Sequence, residues 1–433
     1  MLLNLMSSNE FNLSRSVNSG FNKIKNLSTF QKYITYFWIL GPFLYLLERD
    51  PADLWLTFLS VSFLFRCLIK RDWIWVGQLW FLFAILLWIT GICSALAGPY
   101  SNYSFFEAII WIRFPIYAAA AQIWIGKDSD IRNVMFLSIF TGMLIMCLIL
   151  TLEILIEGPK DRLMWPYGDL VPGSYLSKVS LPIYCTLIAI ISYKFNKRSL
   201  FNFFSVIISI ILVFLSGERV NFLIRFFSGV FAIFSWRVDK IKAIKSFLVF
   251  CGICILILIA IFNFNKSQFD RYTNHFYKAI PLINISDDNG YWGAWRSGIQ
   301  QGLYKPLIGL GPSSSRKHCK NMSDKDFKWL PGKNYCGNHP HNFYIQLFAE
   351  TGIIGLIFGF LMFFYLFKTC YDGRSYNLNC PILAICYIIP LAFFFPIQQT
   401  GSFFGQWNNL FIWFPIGFCI AQIQDYKSIF KKQ

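Results

Sequence analysis

Two of the four histidines in this chain stand close together, directly before a long apolar stretch. The segment HPHNFYIQLFAETGIIG places His339, His341 and Asn342 ahead of it. The amino end of a helix carries a partial positive charge, which disfavours imidazolium and keeps a ring there neutral. A neutral imidazole can accept a proton from a hydroxyl group, and the same helix end can attract an anion. The sequence therefore offers His341 as a general base. The alternative interpretation is that His341 and Asn342 only cap the helix.

The composition is typical of a membrane protein. Of the 433 residues, 56% are hydrophobic and only 14% are charged, whereas soluble domains carry about 25% charged residues. The net charge of +17 raises the question of nucleic acid. The basic residues, however, fall in clusters between apolar stretches, which is the pattern that orients membrane helices. We therefore predict the lipid bilayer as a partner, and no nucleic acid.

Apolar stretches long enough to cross a bilayer recur along the chain. A crossing needs roughly 20 mostly apolar residues, and the chain offers a dozen candidates. They lie near 31–48, 53–69, 74–97, 104–126, 132–156, 174–193, 199–216, 220–236, 245–263, 342–367, 377–395 and 408–424. We expect an all-α integral membrane protein with about twelve transmembrane helices.

The distribution of Lys and Arg predicts the orientation of these helices. The segments that would face the cytoplasm carry clusters of basic residues, and the short outer loops hold only Arg49, Lys160, Arg162 and Arg219. Positive residues favour the cytoplasmic side, so both chain ends are expected there, and no removable signal is expected. The predicted parts are a cytoplasmic tail (1–30), helices one to nine (31–263), a large periplasmic loop (264–341), helices ten to twelve (342–424) and a second cytoplasmic tail (425–433).

The predicted periplasmic loop is long, and loops of this length are usually functional. It contains all four histidines, together with Cys319 and Cys336. In an oxidising compartment these two cysteines are candidates for a disulfide. The stretch GYWGAWRSGIQQGLYKPLIGLGP has helix-like apolar spacing with aromatic anchors, which predicts an interfacial helix on the membrane surface.

Glycines follow the histidine at a fixed spacing. Gly352 and Gly355 come after His341, Asn342 and nine further residues, and glycines on one helix face predict close helix packing. This combination of His-Asn and Gly-x-x-Gly resembles the hallmark of the O-antigen ligase and polymerase family. Members of that family are membrane glycosyltransferases that join or extend bacterial surface glycans.

Three further passages resemble this family, and they follow the same order along the chain. They are DRLMWPYGDLVPGSYLSK (161–178), LSGERVNF (215–222) and WRSGIQQGLYKPLIGLGPSS (295–314). The resemblance places Arg162 in an outward loop and Glu218 with Arg219 at an outer helix end. One departure concerns an arginine that the family carries shortly before the tryptophan of the third passage. Either Arg296 or Arg271 would have to take its place.

The resemblance implies inverting, metal-independent transfer of a glycan from undecaprenyl pyrophosphate to a sugar hydroxyl at the periplasmic face of the bacterial inner membrane, with no cofactor. His341 would take the acceptor proton. Arg219 and Arg162 would hold the pyrophosphate, because guanidinium groups bind phosphate oxygens bidentately. The supporting residues on this interpretation are Asn342, Glu218, Arg296 and His339.

Several functions remain open at this point. Ligation of O-antigen to lipid A-core comes first, and polymerisation onto a growing glycan acceptor uses the same donor. A transporter or lipid-linked oligosaccharide flippase is the alternative from another class. Transporters often show internal repeats, and no clear repeat is visible in this sequence. A glycan-binding or scaffold protein without catalytic activity is the weakest alternative.

Charged residues inside membrane spans are costly and usually face protein or a water-filled cavity. Four of them fall in the outer parts of predicted spans: Glu153, Lys178, Arg225 and Glu350. They could line a cavity that admits the lipid pyrophosphate. Glu153 and Lys178 could equally form a structural ion pair. Arg113 lies nearer the middle of its span, and we expect a structural role for it.

Overall fold

The computed structural model describes residues 13–158, 160, 162–168, 172–237, 239–264, 266, 269–270, 273, 291–321, 336–373, 380–396 and 401–423. Every regular element in this part of the chain is helical, so the predicted all-α class is confirmed. The longer helices are Leu13–Lys25, Thr29–Ile39, Gly41–Leu47, Arg49–Lys70, Leu79–Ala97, Ser101–Trp111, Arg113–Trp124, Ser129–Glu157, Leu181–Tyr193, Leu200–Leu215, Arg219–Ser235, Lys240–Phe264, Tyr291–Tyr304, Ser315–Asn321, Phe343–Gly373, Pro381–Ile385, Ile388–Phe394 and Gln406–Gln422. Short helical turns lie at Ile74–Gly77, Pro172–Ser174, Tyr175–Val179 and Lys197–Ser199.

Several of these helices are long and apolar enough to cross a membrane. The six that qualify are Arg49–Lys70, Leu79–Ala97, Ser101–Trp124, Ser129–Glu157, Lys240–Asn263 and Phe343–Gly373. The count is seven if Pro172–Val179 and Leu181–Tyr193, which meet at an angle of 57°, form one crossing. The chain is therefore a multi-pass membrane protein. The twelve spans and the domain boundaries stay predictions.

The predicted spans near 31–48 and 104–126 are among those broken in the structure. The span near 31–48 consists of the helices Thr29–Ile39 and Gly41–Leu47, and Pro42 lies in the first turn of the second one. The span near 104–126 breaks at Ile112, three residues before Pro115. A proline has no N–H for the helical hydrogen bond to the residue four positions earlier, so helices break or bend near it.

A third break has a different cause. The helix Phe343–Gly373 is interrupted at Gly352, which has φ +67° and ψ −170°. The ring centroid of Tyr344 lies 5.6 Å from that of Phe363, and a Cβ atom on Gly359 would touch the side chain of Leu347. These residues are too far apart in sequence to meet along a continuous helix, because each residue adds 1.5 Å of rise. The part before Gly352 therefore folds back beside the part after it. We refer to Phe343–Gly373 as the broken helix.

A turn formed by residues 306–311, here called the docked turn, lies against this break. The N–H of Gly311 donates to the Glu350 carbonyl at 2.8 Å, and the N–H of Ile353 donates to the Pro306 carbonyl at 2.8 Å. A helix interruption leaves backbone groups without helical partners. The docked turn supplies those partners, so its hydrogen bonds stabilise the break.

The helix Leu79–Ala97 packs along the broken helix on another side. The ring of Phe83 stacks on Tyr365 with centroids 5.4 Å apart, and Ser94 donates its hydroxyl to the Glu350 carbonyl at 2.6 Å. The broken helix is thus held by the docked turn and by a membrane helix, and this packing fixes where residues 339–342 lie.

Candidate functional site

The loop that carries Arg162, residues 162–168, is held by a buried carboxylate. Glu153 accepts the backbone N–H groups of Met164 and Trp165, each at 2.9 Å. The hydroxyl of Tyr167 donates to the Tyr45 carbonyl at 2.6 Å. Burial raises the pKa of the Tyr167 phenol well above its usual range, so the hydroxyl keeps its proton and remains a donor. These contacts fix the loop that presents Arg162.

Arg162 and Arg219 lie at one site, with Glu218 beside both. Arg162 Nη2 lies 3.3 Å from Glu218 Oε1, and Arg219 follows Glu218 directly as the first residue of its helix. Arg219 is half-buried, and its guanidinium has no hydrogen bond or ion pair with any residue that the structure describes. Arg162 is thus held by the residue that precedes Arg219 in the chain.

The first turn of the bent span, which we define as Pro172–Val179 with Leu181–Tyr193, packs directly against the turn that carries Glu218. A Cβ atom on Gly173 would meet the side chain of Ser216, which would have to move. Ser174 donates its hydroxyl to Glu218 Oε2 at 3.4 Å, and Asn221 donates its amide to the same carboxylate. Glu218 thus gathers groups from three separate parts of the chain.

Arg225 holds the irregular backbone of the bent span. Its guanidinium donates to the Leu176 carbonyl, to Ser180 Oγ at 3.4 Å and to Ser209 Oγ at 2.7 Å. It also lies over the ring of Tyr184, 4.0 Å from the centroid. All of these partners are neutral and Arg225 is buried, so its role is structural and it does not face an open cavity.

A chain of hydrogen bonds runs from the bent span to the broken helix. Lys178 Nζ donates to Asn408 Oδ1 at 3.1 Å, and Asn408 donates to the Ser402 carbonyl at 3.2 Å. Gln346 donates its amide to Ser402 Oγ and to Glu350 Oε2, each at 3.0 Å. Lys178 is thereby linked through Asn408 and Ser402 to the helix that follows His341.

His341 precedes the broken helix, and its backbone has φ +56°. Asn342 is the cap of that helix, because its Oδ1 accepts the N–H groups of Tyr344 at 3.0 Å and Ile345 at 3.2 Å. His339 lies beside His341, with ring centroids 4.2 Å apart. Capping therefore falls to Asn342, and the positive φ turns His341 away from the helical path.

The sequence predicts His341 at the mouth of a continuous helix. In the structure, the break in that helix changes where His341 lies. Asn342 donates its amide to the Pro396 carbonyl at 2.8 Å, and the neighbouring Phe394 stacks on Phe363 at 3.9 Å. Because the broken helix folds back at Gly352, His341 lies beside the middle of its second part. The hydropathy of the sequence is continuous across the break and gives no sign of it.

The two glycines predicted for helix packing have different neighbours. A Cβ atom on Gly352 would collide with the Leu307 carbonyl of the docked turn, whereas one on Gly355 would meet Thr351 and Leu87. Gly355 thus faces the helix Leu79–Ala97, as helix packing requires. Gly352 instead provides the positive φ and the space for the docked turn.

Glu350 holds the segment after the docked turn. Its carboxylate accepts the N–H of Ser313 at 2.9 Å and that of Ser315 at 3.3 Å, at the start of the helix Ser315–Asn321. This carboxylate is buried and positions the loop. Glu153 and Lys178 likewise have separate partners, Met164 and Asn408. They therefore do not form the ion pair that the sequence offered as an alternative.

The remaining predicted residues lie in or near the helix Tyr291–Tyr304. Arg296 is buried, and Gly298 on the same helix packs against Pro340. This helix therefore lies against the histidine segment, and its position on the membrane surface stays a prediction. A disulfide joins Cys319 to Cys336. Arg271 lies outside the described residues.

Arg113 pairs with Asp53, Nη2 to Oδ1 at 2.7 Å, which agrees with the structural role expected for it. In the part of the chain that the structure describes, no three His, Cys, Asp or Glu side chains group together as a metal site. Sequence reasoning missed Gln346, Ser402 and Asn408. The available signal was the presence of polar amides within apolar stretches.

Residues 204–360 match the family model described as O-antigen ligase. This segment is similar to that family. The resemblance seen in the sequence is thereby confirmed, and it supports a lipid-linked glycan transferase role for the chain. Arg219 and His341 fall inside the matched segment, while Arg162 and Lys178 precede it. No curated protein matches the chain.

Proposed function

We propose that this protein transfers a glycan from undecaprenyl pyrophosphate to a sugar hydroxyl, with inversion at the anomeric carbon, at the periplasmic face of the bacterial inner membrane. The observation that carries the proposal is the contact of Arg162 with Glu218, the residue before Arg219, next to a segment whose Lys178 begins the hydrogen-bond chain to the helix after His341. The family match over residues 204–360 supports the same type of chemistry.

Arg219 and Arg162 suit the leaving group of this reaction. Guanidinium groups bind phosphate oxygens in pairs and stabilise the charge that collects on a departing pyrophosphate. Arg219 has no partner among the described residues, so donor binding would not first have to break an ion pair there. Arg162 would exchange part of its contact with Glu218 for the donor.

His341 suits the acceptor side. The acceptor hydroxyl would give its proton to the imidazole while its oxygen forms the new bond to the anomeric carbon. The bond from that carbon to the pyrophosphate oxygen breaks at the same time, and the lipid pyrophosphate leaves with the electron pair. A positioned general base contributes about 10² to 10⁴ in rate. Asn342 and the neighbouring His339 would hold the imidazole in place.

Ligation to lipid A-core is our first choice of reaction, since the matched family is described as O-antigen ligase. A lipopolysaccharide gel of a deletion strain separates the alternatives. Loss of every attached unit, with polymer accumulating on the lipid carrier, indicates a ligase. Loss of the ladder with single units retained on the core indicates a polymerase. Retention of the lipid-linked glycan at the cytoplasmic side indicates a flippase.

The catalytic test uses purified full-length protein in lipid nanodiscs, with a glycan on undecaprenyl pyrophosphate and lipid A-core as acceptor. His341→Ala should reduce transfer by about 10² or more, while the variant inserts and melts like the wild type. His318→Ala is the matched control, because His318 lies on another helix, beside the rings of Tyr100 and Tyr304. Transfer at the wild-type rate by His341→Ala would refute the assignment.

A further inference from the structure

Lys178 is a cation with a neutral partner. Its side chain is half-buried on the π-helical turn Tyr175–Val179, and its Nζ donates to the amide oxygen of Asn408 at 3.1 Å. No carboxylate lies within ion-pair distance of it among the described residues. A charge withdrawn from water is costly unless an opposite charge compensates it, and an amide does not provide that charge.

Among the described residues, Glu218 is the acid whose charge favours the protonated form of Lys178. That carboxylate is already engaged by Arg162 at 3.3 Å, by Ser174 and by Asn221. It therefore compensates only one of the positive side chains around it. Among the described residues, no other carboxylate pairs with Arg162, Arg219 or Lys178, so these three cations outnumber the acid in that part of the structure.

The backbone places Lys178 on the side of its segment that faces this cluster. Ser174 lies about one turn before Lys178, and Ser174 contacts Glu218. Gly173 packs directly on Ser216, beside Glu218 in the same turn. π-helical turns are rare and occur often at functional sites. Here Arg225 stabilises the turn through the Leu176 carbonyl, so the unusual backbone is fixed.

We propose that Lys178 is a third cation of the donor site and binds the pyrophosphate of the lipid-linked donor together with Arg162 and Arg219. This inference rests on the proposed function. A pyrophosphate esterified at both ends keeps one ionised oxygen on each phosphorus, and this charge matches the excess left after Glu218 is counted. The ammonium group of Lys178 is a compact point charge, which suits a single phosphate oxygen, whereas the arginine forks suit pairs of oxygens.

Asn408 orients Lys178 in this arrangement. The amide accepts from Nζ and is itself held by the Ser402 carbonyl. Through Ser402 the same chain reaches Gln346, on the helix that follows His341. The cation that binds the leaving group and the helix that carries the base are therefore positioned by one set of contacts.

The test measures lipid binding, which does not require turnover. Full-length protein in nanodiscs is titrated with undecaprenyl pyrophosphate and, separately, with undecaprenyl monophosphate. Lys178→Gln should raise the Kd for the pyrophosphate lipid roughly ten- to a hundredfold, because a charged partner of a buried phosphate is lost. Lys178→Arg should retain most of the affinity. Lys242→Gln is the control, since Lys242 pairs with Asp239 and has no contact with Glu218 among the described residues.

The titration with the monophosphate lipid distinguishes a loss of binding from a loss of folding. If Lys178 contacts the phosphate, Lys178→Gln should lose more affinity for the pyrophosphate lipid than for the monophosphate lipid. Its melting temperature should stay unchanged. Equal losses for both lipids together with a lower melting temperature would make Lys178 structural and overturn the inference. Unchanged pyrophosphate binding by Lys178→Gln would also overturn it, while leaving the proposed function intact. A wild-type protein that binds neither lipid would refute the proposed function itself.

Discussion

The carboxylate of Glu153 accepts the backbone N–H of Met164 at 2.9 Å. Glu153 belongs to the membrane helix Ser129–Glu157 and is fully buried, while Met164 lies in the loop that presents Arg162. An acid in the outer part of a span thus serves as an anchor for a loop. This relationship explains how a loop with few contacts of its own can hold a guanidinium beside Glu218.

Glu153→Gln should destabilise the protein and weaken donor binding together. The substitution replaces one acceptor oxygen by an NH₂ group facing two backbone donors, and an unsatisfied buried polar group costs about 1–3 kcal/mol. Thermal unfolding in detergent and titration with undecaprenyl pyrophosphate measure the two effects. Glu157→Gln is the control on the same helix, because Glu157 is part-exposed and paired with Lys160, and it should shift stability by less than about 0.5 kcal/mol. Equal effects of the two variants would contradict this account.

Gly352→Ala should abolish the fold of the site. Gly352 has φ +67°, a conformation that alanine adopts only with strain, and an added Cβ would collide with the Leu307 carbonyl. We expect a large loss of thermal stability and of glycan transfer. Gly252→Ala is the matched control, because a Cβ there meets nothing within 4 Å. A stable and active Gly352→Ala protein would show that the positive φ at Gly352 is not required for folding or for glycan transfer.

The features that could be predicted from the sequence are those determined by local composition and spacing. The apolar stretches predicted the helices, and the motifs singled out Arg162 and Glu218, which are in contact in the structure; a shared site with Arg219 stays a prediction. The pair of cysteines in an outward loop suggested the disulfide between Cys319 and Cys336. Each of these inferences needed only residue type, order along the chain and side of the membrane.

The features that could not be predicted depend on contacts between distant segments. Gly352 lies in a stretch that is apolar on both sides, so periodicity predicts a continuous helix there. The break depends on the docked turn, which lies more than forty residues earlier in the chain. The backbone of that turn forms hydrogen bonds with the N–H and C=O groups that the break leaves without helical partners. Likewise, Lys178 and Asn408 meet only because two helices pack together. A lone lysine or asparagine in an apolar stretch indicates a polar neighbour but does not identify it.

Arg219→Lys should lower kcat/KM for glycan transfer by at least about tenfold, since an ammonium group replaces the charge of a guanidinium but not its paired donors. Arg219 has no ion pair with a described residue to lose, so the thermal stability of the variant should stay near that of the wild type. Arg49→Lys serves as the control, because Arg49 is an exposed outer arginine paired with its neighbour Asp50. Full activity of Arg219→Lys would reduce Arg219 to a membrane anchor.

The disulfide should stabilise the segment that leads to His341. Cys319 lies on the helix Ser315–Asn321, at whose start Glu350 accepts backbone N–H groups, and Cys336 stands shortly before His339. The bond therefore ties the histidine segment to a helix that the broken helix already holds. The two cysteines are 17 residues apart, and closing a loop of that length is worth about 3 kcal/mol in the chain-entropy model.

Replacing both cysteines, Cys319→Ser with Cys336→Ser, should lower the melting temperature and reduce transfer, because the segment before His341 loses one of its attachments. A reducing agent should have the same effect on the wild type and none on the double variant. Cys93→Ser is the control, since Cys93 is an exposed free thiol. Alkylation of the native protein before and after reduction counts the thiols directly. If Cys319 and Cys336 react without reduction, the bond is absent in the folded protein, and His341 must be positioned by Asn342 and the broken helix alone.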